Sequence, residues 1–369
     1  MQLYDRVKDL PLDIDSYELT HHEQNCTGDF ARASVVLSIQ DHAPDTPEFR
    51  RPCTQIALRG QESIGYGEDV TYDKVDHQAL LESSSELPLA GKYTIASFSA
   101  ALDRIDLFPN REPEREASRY YRRWALESAA LDLALKQARM DLATVLDREY
   151  DPVRFVVSNR LGNPPTFDRV ATWLELNPNL EFKLDIDSGW TGTLIGQLAE
   201  IDAVQVLDFK GRYKGTMVDQ PSNADLYRRL IENFPDVLIE DPVLTDETQA
   251  LFEGIEHRIT WDAPITGVRS IEQLPFEPDW LNIKPSRFGT LESLFNSIEY
   301  CLNHDIQMYG GGQTELGVGR QHIHALASLF YPSSPNDIAP RPYNHPEPTS
   351  GLPTSPLSPP ADPRGFEWH

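Results

Sequence analysis

Short apolar segments recur along the second half of the chain, and this repeat narrows the possible folds more than any other feature. Amphipathic stretches separate the segments, which begin roughly every 20–30 residues, the length of one βα unit. Seven such units are more than most open sheets carry, so closure into a parallel barrel is the simplest architecture. The alternative, an open doubly wound sheet, would usually have a glycine-rich phosphate turn after an early strand, and the sequence has none. The predicted strands are 154–158, 182–186, 204–209, 237–239, 259–261, 280–283 and 306–309.

The first 150 residues have a different pattern, which predicts an α+β domain in front of the barrel. β-Rich runs occupy 33–39 and 54–58, and we interpret the glycine-containing segment IGYGED at 64–69 as a turn or bulge. From 114 to 146, apolar residues recur at helical spacing. We therefore expect an α+β domain over 1–150 and a barrel over 151–332.

The last segment, 333–369, is rich in proline. Of the 29 prolines in the chain, 11 lie from Pro332 onward. That content excludes a regular helix or a central strand. The segment is either a flexible tail or an extended arm that packs back on the body. Its large apolar residues favour the arm, and they are Tyr343, Leu352, Leu357, Phe366 and Trp368.

Composition and charge exclude several classes of partner. The net charge is −25 and the pI about 4.7, which argues against a nucleic-acid or anionic-membrane surface. An anionic substrate stays possible, because a few cations or a metal can reverse the potential inside one pocket. No apolar run is long enough for a membrane helix, the N-terminus lacks the apolar centre of a signal peptide, and only three cysteines are present. We expect a cytoplasmic protein without disulfides.

Three acidic residues close three consecutive predicted strands. Asp208 ends VQVLD, Glu240 ends VLIE and Asp262 ends ITWD. Because the carboxyl ends of parallel barrel strands meet at one mouth, these carboxylates are expected to converge there. Their charges would repel, and a hard divalent cation with oxygen ligands, Mg²⁺, would relieve the repulsion. The alternative is that the acids cap the helices that follow the strands.

The next predicted strand ends in a lysine, Lys284 of WLNIK. A lysine beside a metal site could serve as a general base or as an electrophilic stabiliser. The alternative is a structural ion pair with a neighbouring carboxylate.

Together these residues resemble the enolase superfamily, in its mandelate racemase and muconate lactonizing branch. The steps from Glu240 to Asp262 and from Asp262 to Lys284 are 22 residues each, similar to the spacing of that family's metal ligands and following lysine. The segments IGYGE, ALESAALDLALKQA, KPSRFGTLES and GGGQTELGVGRQHIHALASL also resemble family motifs. The similarity covers about residues 20–332. It implies an α+β capping domain on a modified (β/α)₇β barrel.

The resemblance also implies a chemistry. Mg²⁺ would bind a substrate carboxylate, and a base would abstract the proton α to it through an enediolate. We therefore expect a lyase or isomerase acting on a small carboxylate, such as a cycloisomerase, an o-succinylbenzoate synthase or a dehydratase. The alternatives are an epimerase or racemase of the same superfamily and a non-catalytic barrel that keeps the metal site. The chain could also form a homo-oligomer.

The second barrel strand departs from the family pattern. Many relatives end this strand in Lys-x-Lys, whereas here it reads Lys183-Leu-Asp185, so an aspartate stands in place of the second lysine. The third strand ends Asp208-Phe-Lys210, and Lys210 could supply the missing ammonium group or form a salt bridge with Asp185. We assign Lys284, Lys210, Lys183 and Asp185 to the catalytic group. Asp185 is also an alternative to Asp208 as the first metal ligand.

Four further residues are candidates for substrate binding. Glu315 stands at the family's customary acidic position, and Gln313 precedes it in the same segment. Arg287 lies near Lys284 and could touch the substrate or pair with an acid. His22 falls in the part of the capping domain that, by resemblance, closes over the substrate.

Overall fold

The N-terminal domain contains an antiparallel sheet and a long helix. The computed structural model describes residues 2–26, 49–83, 87–109, 111–212, 220–345 and 347–368, so the predicted strand at 33–39 lies outside the described residues. Strands β2, β3 and β4 pair in that order, and β1 pairs with β5. The strands are β1 (Pro11–Ile14), β2 (Ser16–Cys26), β3 (Phe49–Gly60), β4 (Ser63–Asp69) and β5 (Gly91–Thr94). The helices are α1 (Lys74–Glu82), α2 (Ile95–Leu102), α3 (Ala117–Ala138) and α4 (Leu142–Leu146).

The IGYGED segment is a strand, β4, so its interpretation as a turn or bulge was wrong. Its glycines serve close packing instead. A Cβ on Gly67 would lie 1.9 Å from the carbonyl oxygen of Ala125 on α3, and one on Gly65 would lie 2.3 Å from that of Ala129. Alternate residues of a strand share one face, so both glycines let β4 lie directly against the helix.

The second domain is the predicted parallel barrel, with the strands in sequence order and neighbours parallel. All seven predicted strands are confirmed, with ends shifted by a few residues. They are β6 (Val157–Asn159), β7 (Phe182–Asp185), β8 (Val204–Asp208), β9 (Leu238–Glu240), β10 (Ile259–Trp261), β11 (Trp280–Ile283) and β12 (Gln307–Gly310). The helices between and after them are α5 (Asp168–Leu176), α6 (Gly192–Ala199), α7 (Ala224–Asn233), α8 (Asp246–Gln249), α9 (Val268–Glu272), α10 (Leu291–Asn303) and α11 (Val318–Phe330).

Two residues beyond the last helix join the two edges of this sheet. Asn336 pairs in parallel with Phe155, just before β6, and Asp337 pairs in parallel with Gly311, just after β12. The amide of Asp337 donates to the carbonyl of Gly310 at 2.8 Å. The closing segment therefore lies past residue 332, within the stretch predicted as the arm.

The rest of the C-terminal segment contacts both domains. Tyr343 is buried against Phe155 and Trp173, with ring centroids 5.5 and 5.0 Å away. Phe366 is fully buried and stacks on His322 of α11 at 4.1 Å. Its amide donates to Asp132 of α3 at 2.8 Å. Such contacts bury apolar surface that a solvated tail would leave in water.

Two buried histidines predict that the fold loses stability in mild acid. Burial lowers the pKa of His322 to about 3 and that of His77 to about 4, from 6.5. Both ring nitrogens of His322 lack a partner among the described residues. Below about pH 6.5 the unfolded chain binds protons that the folded chain excludes, so stability falls as the pH drops toward these values.

For His322 alone, the free energy of unfolding should fall by up to about 1.4 kcal/mol for each unit that the pH drops. Replacing His322 with Leu should remove that part of the slope. Urea unfolding of both proteins from about pH 8 to about pH 5 measures it. Equal slopes for the two proteins would show that His322 does not contribute.

No helix in the described part of the chain is both long and apolar enough to cross a membrane.

Candidate active site

The three strand-end carboxylates lie at the carboxyl end of the barrel and are buried. Asp208 and Glu240 are the last residues of β8 and β9, and Asp262 directly follows β10. Each is at most 1% exposed. They do not cap the helices that follow, because Asn223 caps α7 and Thr245 caps α8 through their side chains, and Gly267 occupies the N-cap position of α9. The alternative role of these acids as helix caps is therefore wrong.

Glu240 is held by groups from three other strands. Lys183 Nζ of β7 lies 2.5 Å from its Oε1, and Asn282 Nδ2 of β11 lies 3.2 Å from its Oε2. The hydroxyl of Tyr309 on β12 also donates to Oε2. Sequence reasoning missed Tyr309 and Asn282. Asn282 could have been found, because it alternates with Lys284 and so shares its face of the strand.

Lys183 lies at the centre of a group of acids. Besides Glu240, its Nζ is 3.2 Å from Asp208 and 3.1 Å from Asp337 of the barrel-closing segment. Burial acts to lower the pKa of Lys183, but Glu240, Asp337 and Asp208 outweigh it and raise the pKa well above its usual range. Lys183 is therefore a fixed positive charge. Asp337 was another residue that sequence reasoning missed.

Burial and mutual repulsion separate the pKa values of the acids. Burial, with Asp208 and Asp262 nearby, raises the pKa of Glu240 well above its ordinary value. Burial acts in the same direction on Asp208, but Lys210 and Lys183 outweigh it and hold its pKa below the usual range. The Asp208 and Glu240 carboxylates lie close together, since both contact Lys183 Nζ. Two carboxyl groups this close favour a proton or a cation between them.

Lys284 and Arg287 both reach Asp262. Lys284 Nζ is 2.9 Å from Asp262 Oδ2, and Arg287 Nη1 is 2.8 Å from Oδ1. Burial acts to raise the pKa of Asp262, but Arg287 and Lys284 outweigh it and lower the pKa. Lys284 is 9% exposed, at the edge between the buried acids and the mouth. The contact with Asp262 is the ion pair foreseen as the alternative role for Lys284.

Lys210, which follows the third barrel strand, places its side chain beside Asp185, the residue that replaces the family's lysine on the second strand. Its backbone has a φ of 53°, in the left-handed region, just after β8 ends. Its Nζ pairs with Asp208 and lies 3.1 Å from Asp185 of β7. The predicted salt bridge with Asp185 is thus present, and it brings an ammonium group next to the position of the missing lysine.

The candidate substrate-binding residues fall into two places. The Gln313 amide contacts the hydroxyl of Tyr72 at 2.8 Å and Nε of Arg287 at 2.8 Å, joining the capping domain to the barrel. Glu315 Oε1 accepts a hydrogen bond from the backbone amide of Gln313 at 2.6 Å. His22 is exposed on β2 of the N-terminal sheet.

Glu68 at the end of the IGYGE motif fixes the loop that carries these residues. Its carboxylate accepts from the amides of Leu316, Gly317 and Gly319, the last two at 2.9 Å. These amides lie at the N-terminal end of α11, where the free backbone N–H groups and the helix dipole favour a negative charge. The motif therefore ties the N-terminal domain to the loop after β12.

The donor chemistry of the site fits a divalent metal, although its side chains here form ion pairs. Asp208, Glu240 and Asp262 offer hard oxygen atoms, and the mutual repulsion of these buried carboxylates favours a positive charge among them. Within the described ranges, no three His, Cys, Asp or Glu side chains are grouped so that they could hold a metal. Lys183 contacts two of the predicted ligands directly.

Sequence comparisons place most of the chain in a known family. Models of a domain of unknown function, DUF8230, match it over residues 5–145 for the N-terminal domain and 149–345 for the C-terminal domain. The chain is 34% identical over 303 residues to an o-succinylbenzoate synthase of Listeria innocua, covering 77% of this chain and 76% of that protein. It is 29% identical over 225 residues to an N-succinylamino acid racemase of Amycolatopsis, covering 58% of this chain and 59% of that protein.

Solved structures share the fold. A member of the enolase superfamily from Listeria innocua superposes with a TM-score of 0.61 at 20% identity, over 89% of this chain and 86% of that chain. A dipeptide epimerase from Methylococcus capsulatus, complexed with Mg and a dipeptide, gives 0.67 at 17% identity, over 96% and 99%. The N-terminal antiparallel sheet and the parallel barrel match the capping domain and barrel of this fold. The chain therefore belongs to the enolase superfamily, an enzyme superfamily, and within it to the DUF8230 family.

Proposed function

We propose that this protein is a Mg²⁺-dependent lyase or isomerase that removes the proton α to the carboxylate of a small organic acid. The proposal rests on the three acidic residues and the lysine that lie at the ends of four consecutive strands, at one mouth of the barrel. Asp208, Glu240 and Asp262 are buried on consecutive strands, and Lys284 follows on the next strand, 2.9 Å from Asp262. The similarity to an o-succinylbenzoate synthase, and the fold shared with a dipeptide epimerase complexed with Mg, support the proposal.

Asp208, Glu240 and Asp262 would hold the metal. Bound Mg²⁺ would stabilise the negative charge that develops on the substrate carboxylate as the α-proton leaves. Tyr309 and Asn282 would keep Glu240 oriented, because both contact its Oε2. Lys183 would offset part of the charge of the acids.

Lys284 is our candidate for the base. It directly follows β11, lies next to Asp262 and is 9% exposed, and it would face the bound substrate carboxylate at the mouth. Asp262 and the neighbouring Arg287 fix its position. A base in this position could take the α-proton and, in an elimination, return it to the leaving group.

A racemase or epimerase is the second candidate, and Lys210 is the observation that favours it. Such a reaction needs a proton carrier on each face of the carbanion, and the second-strand lysine is replaced by Asp185. Lys210 from the third strand lies 3.1 Å from Asp185 and so brings an ammonium group to that side. Elimination needs only one base, so we prefer the lyase assignment.

Product analysis separates the two candidates. In one series we would incubate the protein and Mg²⁺ with N-succinylamino acids and measure inversion at the α-carbon. In a second series we would measure formation of o-succinylbenzoate. Formation of o-succinylbenzoate without inversion of the amino acids would support a lyase. Inversion alone would support the racemase, and neither reaction would direct the search to other small carboxylates.

Amide substitutions test the ligand assignment. Asp208→Asn should weaken Mg²⁺ binding by at least about tenfold, because the amide oxygen lacks the carboxylate charge. Asp185→Asn, on the neighbouring strand, should leave the affinity nearly unchanged. Isothermal titration calorimetry of the two variants and the wild type measures this. If Asp185→Asn loses Mg²⁺ while Asp208→Asn binds it normally, the first ligand is Asp185.

A further inference from the structure

A second cavity lies outside the barrel mouth, between α11, the N-terminal sheet and the C-terminal arm. Its volume of about 770 Å³ is within the range of small-molecule sites. Tyr66 of β4, Val318 of α11 and Trp368 of the arm are among its walls. Neither the strand-end acids nor Lys284 lines it, so it is separate from the candidate active site.

Arg341 brings a positive charge to this cavity that no acid neutralises among the described residues. Its guanidinium donates to two neutral oxygens, the carbonyl of Leu316 and the side-chain oxygen of Gln24. The described ion pairs do not include it, although acidic residues outnumber basic ones by 58 to 33 in the chain. A guanidinium is well suited to recognise a carboxylate through paired hydrogen bonds.

Two side-chain atoms on neighbouring residues of α11 lack a hydrogen-bond partner in the described part of the chain. Arg320 is only 8% exposed, and one of its nitrogens lies 3.2 Å from Glu315, but its Nε has no hydrogen-bond partner in the described part of the chain. The side-chain oxygen of Gln321 is buried and likewise unpaired there. Both residues line the cavity. An unpaired buried N–H is costly, so Arg320 keeps the capacity to bind an acceptor, whereas the Gln321 oxygen accepts and would need a donor group.

Most of the remaining wall is apolar; its other polar residues are Gln55, His324 and Glu367, and the Glu367 carboxylate is paired with Lys136 at 2.5 Å. Leu316, Val318 and Leu357 line the cavity together with the rings of Tyr66 and Trp368. Such a lining takes the hydrocarbon part of a ligand, while a few polar groups orient its charged end.

We propose that this cavity binds a small organic carboxylate with an apolar body. The carboxylate would bind Arg341, the guanidinium of Arg320 on the same wall would add positive charge, and the apolar body would pack on Trp368 and Leu357. Glu315, which pairs with Arg320, belongs to the loop that carries Gln313 toward the barrel mouth. The site does not depend on the reaction proposed for the mouth.

Fluorine NMR of the full chain labelled with 5-fluorotryptophan tests this, with benzoate as the probe. Trp368→Phe identifies the Trp368 resonance, which reports on this cavity even if benzoate also enters the barrel mouth. Benzoate should shift that resonance saturably, and benzamide, its neutral counterpart, should not. A Trp368 resonance that benzoate leaves unchanged, or that benzamide shifts equally, would overturn the proposal.

Matched arginine variants test the charge. Arg341→Gln should weaken benzoate binding about tenfold, the effect expected from losing one charge-assisted hydrogen bond. Arg364→Gln makes the same change in the same arm at an exposed residue outside the cavity and should bind benzoate like the wild type. Arg341→Lys should bind better than Arg341→Gln, because it keeps the charge. Equal affinity in Arg341→Gln and the wild type would contradict the proposal.

Discussion

Replacing Lys284 with Ala is expected to abolish exchange of the substrate α-proton while the protein stays folded and still binds Mg²⁺. Loss of a general base typically slows a reaction by about 10²–10⁴-fold. The side chain is 9% exposed and its main partner, Asp262, keeps two contacts with Arg287, so the loss should leave no acid unpaired. Exchange rates by proton NMR, with Mg²⁺ affinity by calorimetry, measure the effect.

Lys210→Ala is the matched comparison. It removes an ammonium group from the same mouth, next to Asp208 and Asp185, and should reduce exchange only in part if Lys210 stabilises charge. If Lys210→Ala is inactive and Lys284→Ala keeps exchanging, the base lies on the third strand instead. Lys183 is a poor comparison, because removing a buried counterion of three acids costs about 3–5 kcal/mol of stability.

Replacing Phe366 with Ala should destabilise the whole protein by about 3–5 kcal/mol, the range for a buried aromatic residue. Phe366 is fully buried in the C-terminal arm, against His322 at 4.1 Å and Trp124 at 6.4 Å. The arm would then act as part of the core of both domains. Thermal and urea unfolding measure the change.

Arg364→Ala, two residues earlier and highly exposed, is the control and should change stability by less than about 0.5 kcal/mol. Limited proteolysis gives an independent check. If residues after about 332 are removed rapidly without a drop in melting temperature, the arm does not support the fold.

The barrel strands could be predicted because each is a short apolar run bounded by polar residues. The closing segment could not, because Asn336 and Asp337 pair through single residues in a stretch between Pro335 and Pro340. The β4 segment was misjudged for a different reason. Its glycines allow close approach to α3, a tertiary constraint that local turn signals do not distinguish from a bend.

The site shows the same division. Asp208, Glu240, Asp262 and Lys284 could be proposed because strand ends gather at one mouth whatever the loops do. The partners of Glu240 and Lys183 could not, because Tyr309 reaches Glu240 from β12 and Asp337 reaches Lys183 from the closing segment, both far along the chain. Lys210 could be proposed as the substitute for the second-strand lysine, but the left-handed backbone that Lys210 adopts could not be predicted, because no residue pattern indicates it.

Solvent deuterium incorporation at the α-carbon tests the central claim most directly. A panel of small carboxylic acids is incubated with the wild-type protein in deuterium oxide, with Mg²⁺ and, in parallel, with a chelator. Our account predicts incorporation into at least one acid with Mg²⁺, and its loss with the chelator and in Lys284→Ala. Incorporation that persists in the chelator, or its absence across a broad panel with Mg²⁺ bound, would contradict it.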